Sequence, residues 1–391
     1  MIGNMVSSFK GLGWQSWRTS TVDASTFIFA LLSLPGLICL PSGAQTAPDF
    51  NQVSSAAAAA REAGDLIHAV DLYSAAVRLN PGWADGWWYL GTLLYGRGEY
   101  PEARDALTHF IELTPHAGPA TALRGLCEFE AGDYPAALKD VNAGIAQGAA
   151  NQPRNEHILR AHQALLLTRN GQFAEALGAY AFFGSFGPPE PDMAVGMGLA
   201  GLRKPLLPKE VALSDRDMYL ATGNAMFHFM SGDAAGAKLA FSALFERYPT
   251  LAGLHYLYGY YLFPTDPDAA EVEFRRELTI FPTSSQAEAI LSWIEILRNQ
   301  PGDAVPYARR AVADDPSLPL AQLVLGRSMV ETGDIAGGLS HLERALALEP
   351  GNLEVHLALA RAYSESGRKE DAFRERMQSL QLTKDEQVAQ P

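Results

Sequence analysis

Small residues recur along this chain at a fixed step, each leading a run of apolar positions. Ala69, Ala103 and Ala137 stand 34 positions apart, and Ala304, Gly338 and Ala372 keep the same spacing. Ala176, Ala237 and Ala270 extend the series at less regular intervals. A bulky residue follows four positions on, usually a small or apolar one at seven, and often Pro at twelve. Thus Ala69 leads to Tyr73, Ala76 and Pro81, and Ala237 to Phe241, Leu244 and Pro249. A period in this range is what a stack of two-helix units leaves in a sequence. No such unit can bury its apolar faces alone, so the pattern predicts a stack with a continuous core.

The second unit shows the pattern in full. Trp87, Leu90, Gly91 and Leu94 fall on its first helix, Gly98-Glu99-Tyr100 make the turn, and Ala103, Leu107, Phe110 and Pro115 mark the second helix and its end. A residue without bulk (Gly91, Ala103) is needed where paired helices approach most closely, and large apolar residues fill the space around that contact. Pro stops the second helix and starts the next unit. This resembles the tetratricopeptide repeat, whose signature is W-x2-L-G-x2-Y followed by A-x3-F and P. Nine such units are read, at approximately 50–83, 84–117, 118–151, 157–190, 218–251, 252–284, 285–318, 319–352 and 353–386. The turn recurs as Gly64-Asp65, Gly132-Asp133, Gly171-Gln172, Gly232-Asp233, Gly333-Asp334 and Gly367-Arg368. The resemblance implies an all-α fold, a right-handed superhelical solenoid of stacked antiparallel helix pairs.

The departures predict local features. Phe263-Pro264-Thr265-Asp266-Pro267 replaces the glycine turn of the sixth unit, and Asn299-Gln300-Pro301-Gly302 displaces the glycine of the seventh. The ninth places Arg376 and Ser379 at core positions, as suits a terminal unit with a polar outer face. Between Ala176 and Ala237 the step stretches to 61. That gap holds an apolar, glycine-rich run at 192–203, read as a short helix capped by Asp192, and the proline-stiffened connection Lys204-Pro205-Leu206-Leu207-Pro208-Lys209. The run is either a hinge or an extra helix packed across the solenoid, and its apolar content favours packing. The expected organisation is a first array at 45–190, an insertion at 191–217, a second array at 218–386 and a frayed tail at 387–391.

Composition adds three constraints. Hydrophobic residues at 48% and charged residues at 19% supply a core and exclude global disorder. A formal charge of -14 argues against a protein that tracks nucleic-acid phosphates. The N-terminus reads as an export signal: Lys10 and Arg18 precede the apolar run 27–40, and Pro41-Ser42-Gly43-Ala44 offers small residues for a cut after Ala44. The expectation is a bacterial, exported chain in the periplasm or cell envelope. The alternative is an inner-membrane anchor formed by uncleaved residues 27–40, although that run of 14 is short of the ~20 a spanning helix needs. Cleavage would leave Cys127 as the sole cysteine, a buried small hydrophobe with no disulfide partner.

In tetratricopeptide arrays the first helices line the concave side, where ligands bind, and the resemblance implies the same here. By register the groove-facing side chains are Trp88, Thr92 and Tyr95 in the second unit and Ala122, Leu126 and Phe129 in the third. The fifth contributes Tyr219, Thr222, Met226 and Phe229, the sixth Tyr256, Tyr260 and Phe263, and the eighth Leu323, Arg327 and Val330. The Lys, Arg and Asn cluster with which some family members grip a C-terminal carboxylate is missing. The expected ligand is therefore an apolar or aromatic peptide segment or amphipathic helix.

Reactive chemistry is not legible. No HExxH, P-loop, GxSxG or helix-opening GxGxxG occurs, and His157 and His162 are five apart rather than four. His255 and His356 hold similar places in different units, which repeat architecture explains better than a metal. No catalytic residue, cofactor or metal is assigned. The sequence points to a non-enzymatic adaptor for protein partners, alternatively a self-associating component of an envelope, pilus or secretion assembly, or a recruiting subunit of an enzyme complex.

Overall fold

The computed structural model describes residues 49–389 and is helical throughout them, with no strand. The export segment, and with it the anchor alternative, lies outside the described residues. Eighteen of nineteen α-helices form nine antiparallel pairs: α1 (Phe50–Glu62) with α2 (Leu66–Leu79), α3 (Ala84–Gly96) with α4 (Tyr100–Leu113), α5 (Gly118–Ala131) with α6 (Tyr134–Ala146), and α7 (Pro153–Arg169) with α8 (Phe173–Ala181). After an odd helix, α9 (Pro191–Gly201), follow α10 (Leu213–Met230) with α11 (Ala234–Arg247), α12 (Leu254–Leu262) with α13 (Pro267–Ile280), α14 (Ser285–Leu297) with α15 (Pro301–Asp314), α16 (Pro319–Glu331) with α17 (Ile335–Leu348), and α18 (Leu353–Glu365) with α19 (Lys369–Ala389).

The small-residue ladder is the seam of each pair. Ala69, Ala103, Ala137, Ala176, Ala237, Ala270 and Ala304 are fully buried. The bulky residues four positions on, among them Tyr73, Leu107, Tyr180, Phe241, Phe274 and Leu342, are buried beside them. The first helices supply matching hollows. A Cβ on Gly91 would stand 2.8 Å from Leu107, and one on Gly259 would meet the Phe274 ring at 2.9 Å.

The Gly-Asp turn does two jobs. Gly232, at φ 75°, ends α10 in the left-handed region, where a side chain is disfavoured. Asp233 then caps α11 by accepting from the Gly236 N–H at 2.9 Å. Asp65, Asp133 and Asp334 cap α2, α6 and α17 the same way. Where the sixth unit lacks the glycine, Asp266 still caps α13 through the Ala269 N–H. In the seventh, Asn299 takes the left-handed position at φ 60°, a conformation Asn tolerates better than other side chains.

At three places first helices of successive units touch directly, α5 with α7, α14 with α16 and α16 with α18. Second helices of successive units share no contact of comparable extent among the described residues. A stack that packs closer along one side bends towards it, so the first helices form the inner wall.

The run at 192–203 is the helix α9, packed against α7, α8 and α10, and every residue from Ala194 to Gly201 is buried. Four expectations need correction. The N-cap of α9 is Glu190 with Pro191 in the first turn, and Asp192 instead pairs with Arg216 of α10. Residues 213–217, read as connector, are the first turn and more of α10, because Leu213 to Met230 runs without a breaker. The tail is helical to Ala389, since good helix formers simply continue α19. The outer face of the last unit is also less polar than expected, for it exposes Phe373, Met377 and Leu380.

Candidate docking groove

The structure separates the sequence-derived groove residues into covered and open groups. Tyr219 packs with Val195, Leu199 and Leu202, and a Cβ on Gly201 would stand 3.5 Å from Met226, so both lie against α9 and its end. Phe129 is buried as well, with the Tyr134 and His162 rings against it and the Lys209 ammonium 5.2 Å over its face. Lys209 belongs to the proline-stiffened connector, and its neighbour Glu210 pairs with Arg169 of α7 at 2.9 Å. Leu207 of the same segment is fully buried. The connector and α9 thus occupy the inner wall from the third unit to the fifth. Those three side chains are core in this structure; register placed them on the wall but could not show that the chain itself covers it.

Trp88 and Tyr95 lie on the N-terminal side of that cover. Trp88 sits 5.5 Å from Phe110, Tyr95 meets Tyr100 edge-on at 5.6 Å, and burial raises the Tyr95 hydroxyl pKa. On the other side Tyr256 stacks obliquely between Tyr260 at 6.3 Å and Phe274 at 5.8 Å, with Phe263 in the same cluster. Burial pushes the Tyr256 hydroxyl up to about 12, and the nearby Arg203 partly opposes this. Tyr260 is 45% exposed. Phe229 packs on Tyr261 at 4.9 Å, apart from that pair.

The start of α12 is held by an anchor that the sequence did not disclose. Glu277 of α13 is fully buried and accepts from the Gly253 N–H at 2.6 Å and the Tyr256 N–H at 3.2 Å. A carboxylate on the free N–H groups of a helix start compensates for the missing cap. His255, in the same turn, pairs with Glu273 at 2.6 Å, and His356 pairs with Glu375 at the corresponding place.

Arg327 lies in a shallow depression of about 250 Å³ shared with Val330, Glu331, Glu354, Leu357, Ala358 and Arg361. Its guanidinium rests 5.2 Å over the Trp293 ring and bonds Glu331 at 3.1 Å. Arg361 reaches the same Glu331 at 2.9 Å and Glu365 at 2.9 Å. Trp293, Leu357 and Arg361 were missed by the sequence reading, although the register that gave Trp88, Tyr260 and Arg327 yields them when applied to the seventh and ninth units. The open wall from the sixth to the ninth unit therefore pairs an aromatic stretch with a stretch of apolar side chains and balanced charges. Such a surface can hold a peptide or helix by burial and oriented ion pairs.

Stacked helix pairs with an open inner wall, and no strand among the described residues, define a helical-repeat scaffold for protein interaction. Family models described as tetratricopeptide repeat match residues 55–117, 90–153 and 329–375, and these stretches of the chain are tetratricopeptide repeats. No curated protein sequence matches it. Among solved structures, the crystal structure of MamA is 18% identical, with 42% of this chain and 96% of that chain covered and a TM-score of 0.36. The crystal structure of PilW, a widely conserved type IV pilus biogenesis factor, is 22% identical, with 43% and 78% covered and a TM-score of 0.39. Nothing about the function of this chain follows from either.

Proposed function

We propose that this protein is an exported, non-enzymatic adaptor that holds an apolar or aromatic segment of a partner protein along the open inner wall of its sixth to ninth units. The observation that carries the reading is the row of Tyr260, Arg327 and Leu357, which is exposed or lines the depression, with the half-buried Trp293 beneath Arg327, while the wall before it is filled by the chain's own α9 and connector. Trp88 and Tyr95 would form a second, smaller contact on the far side of that cover. Rigid stacking supplies preorganisation, so binding spends little on ordering the receptor.

A photo-crosslinking side chain placed at Tyr260 or at Leu357 tests this in native extract. Partner adducts are expected at both positions and not at Leu239, which is exposed on the second helix α11. Equal labelling at all three positions would defeat the groove assignment. Export rests on residues 1–44. N-terminal sequencing of the protein from its native cell should begin at Gln45, and an intact Met1 or Met5 start in the cytoplasm would remove that part of the reading.

A further inference from the structure

The last helix carries an apolar stripe that no described residue covers. Phe373, Met377 and Leu380 stand at i, i+4 and i+7 on α19, one face of the helix, and are 64, 49 and 55% exposed. Stepping back one repeat of 34 gives Leu339, Glu343 and Leu346 on α17. There Leu339 and Leu346 share a cluster with Val355 and Leu359 of the next first helix, α18, and Glu343 accepts from the Tyr363 hydroxyl at 2.9 Å. The stripe is thus a seat for one more first helix. Solenoid ends usually carry a polar face that stops further stacking, and three large apolar side chains do the reverse.

The opposite end of the array offers such a helix. Counted from the first residue of each helix, Val355, Leu359 and Ala362 of α18 correspond to Gln52, Ala56 and Ala59 of α1. Leu359 and Ala362 are buried against their neighbours, whereas Ala56 and Ala59 are exposed. Small side chains at one end leave room for the large ones at the other, and two α19 helices laid side by side would offer no such room. We propose that the chain stacks head to tail on a second copy of itself, with α1 of one molecule completing the seat left open by α19 of the next. The interface is heterologous, so association continues as an open row unless the rotation closes a ring. This concerns the ends of the solenoid and does not rest on the inner-wall reading.

Light scattering of the full chain across a concentration series tests it, with two variants: Phe373→Glu combined with Met377→Glu, and Ala59→Glu alone. All three positions are exposed, and circular dichroism checks that each variant keeps its helices. The wild-type mass should rise with concentration, while each variant stays at the single-chain 42.2 kDa. An equimolar mixture of the two variants retains one good α1 and one good α19, so it should reach two chains and stop. A wild-type chain that stays single throughout overturns the proposal. So does self-association by the Ala59→Glu variant, which would mean that α19 seats another α19 or a different segment.

Discussion

Replacing Gly223 by Ala is the sharpest test of how α9 is built into the stack. A Cβ there would overlap the Ala194 carbonyl oxygen outright and stand 2.5 Å from its carbonyl carbon. The approach is reciprocal, for a Cβ on Gly198 would overlap the Tyr219 carbonyl. Carbon atoms rest at about 3.5–4.0 Å, so α9 and α10 must part by about 1 Å or more at their crossing. The opposing atoms are backbone and cannot rotate away. Overpacking of this kind costs about 1–3 kcal/mol, while Ala in place of Gly within a helix returns about 1 kcal/mol. Because α9 is buried from Ala194 to Gly201, around the contact, the cost falls at or above the upper end, and the expected net is about 2 kcal/mol of destabilisation. Gly178→Ala is the control, since this α8 glycine is exposed and a Cβ there meets nothing within 4 Å. It should stabilise by about 0.5–1 kcal/mol. Urea titration followed by circular dichroism, with tryptophan fluorescence to detect separate unfolding of segments, reads both. Opposite signs are expected. A Gly223→Ala chain as stable as its parent would refute the close crossing.

Other outcomes follow from the same packing. Burial, with Asp140 nearby, pushes the Glu128 carboxyl from 4.5 up to about 7. A raised acid binds its proton more tightly in the folded state, so the contribution of Glu128 to stability is greatest below pH 4.5 and is lost as pH rises through 7. Glu128→Gln should flatten that decline and stabilise at pH 8 by on the order of 1 kcal/mol after allowance for solvent screening, as read from urea midpoints at pH 5 and 8. Phe274→Ala empties the space beside Gly259 and should cost about 3–5 kcal/mol in the same titration. Burial pushes the Cys127 thiol up to about 12, so in a Cys39→Ser chain a thiol reagent should react only as fast as the helices unfold.

The repeat was legible because each unit must solve the same local problem. Ala103 beside Gly91, a left-handed Gly98 and a stop at Pro115 are needs of neighbouring residues, and local needs leave a period in the sequence. From that period follow the helix pairs, the buried ladder and the row of first-helix positions that contains Arg327. The occupancy of the inner wall was a matter for the tertiary structure. Residues 191–212 fold back on the array, and only their packing decides that Phe129, Tyr219 and Met226 are enclosed while Tyr260 is left open. Likewise Glu277 finds the start of α12 across 24 positions, and no spacing rule announces that contact. Periodicity records what a residue owes to its own unit; burial depends on whichever part of the chain arrives from elsewhere.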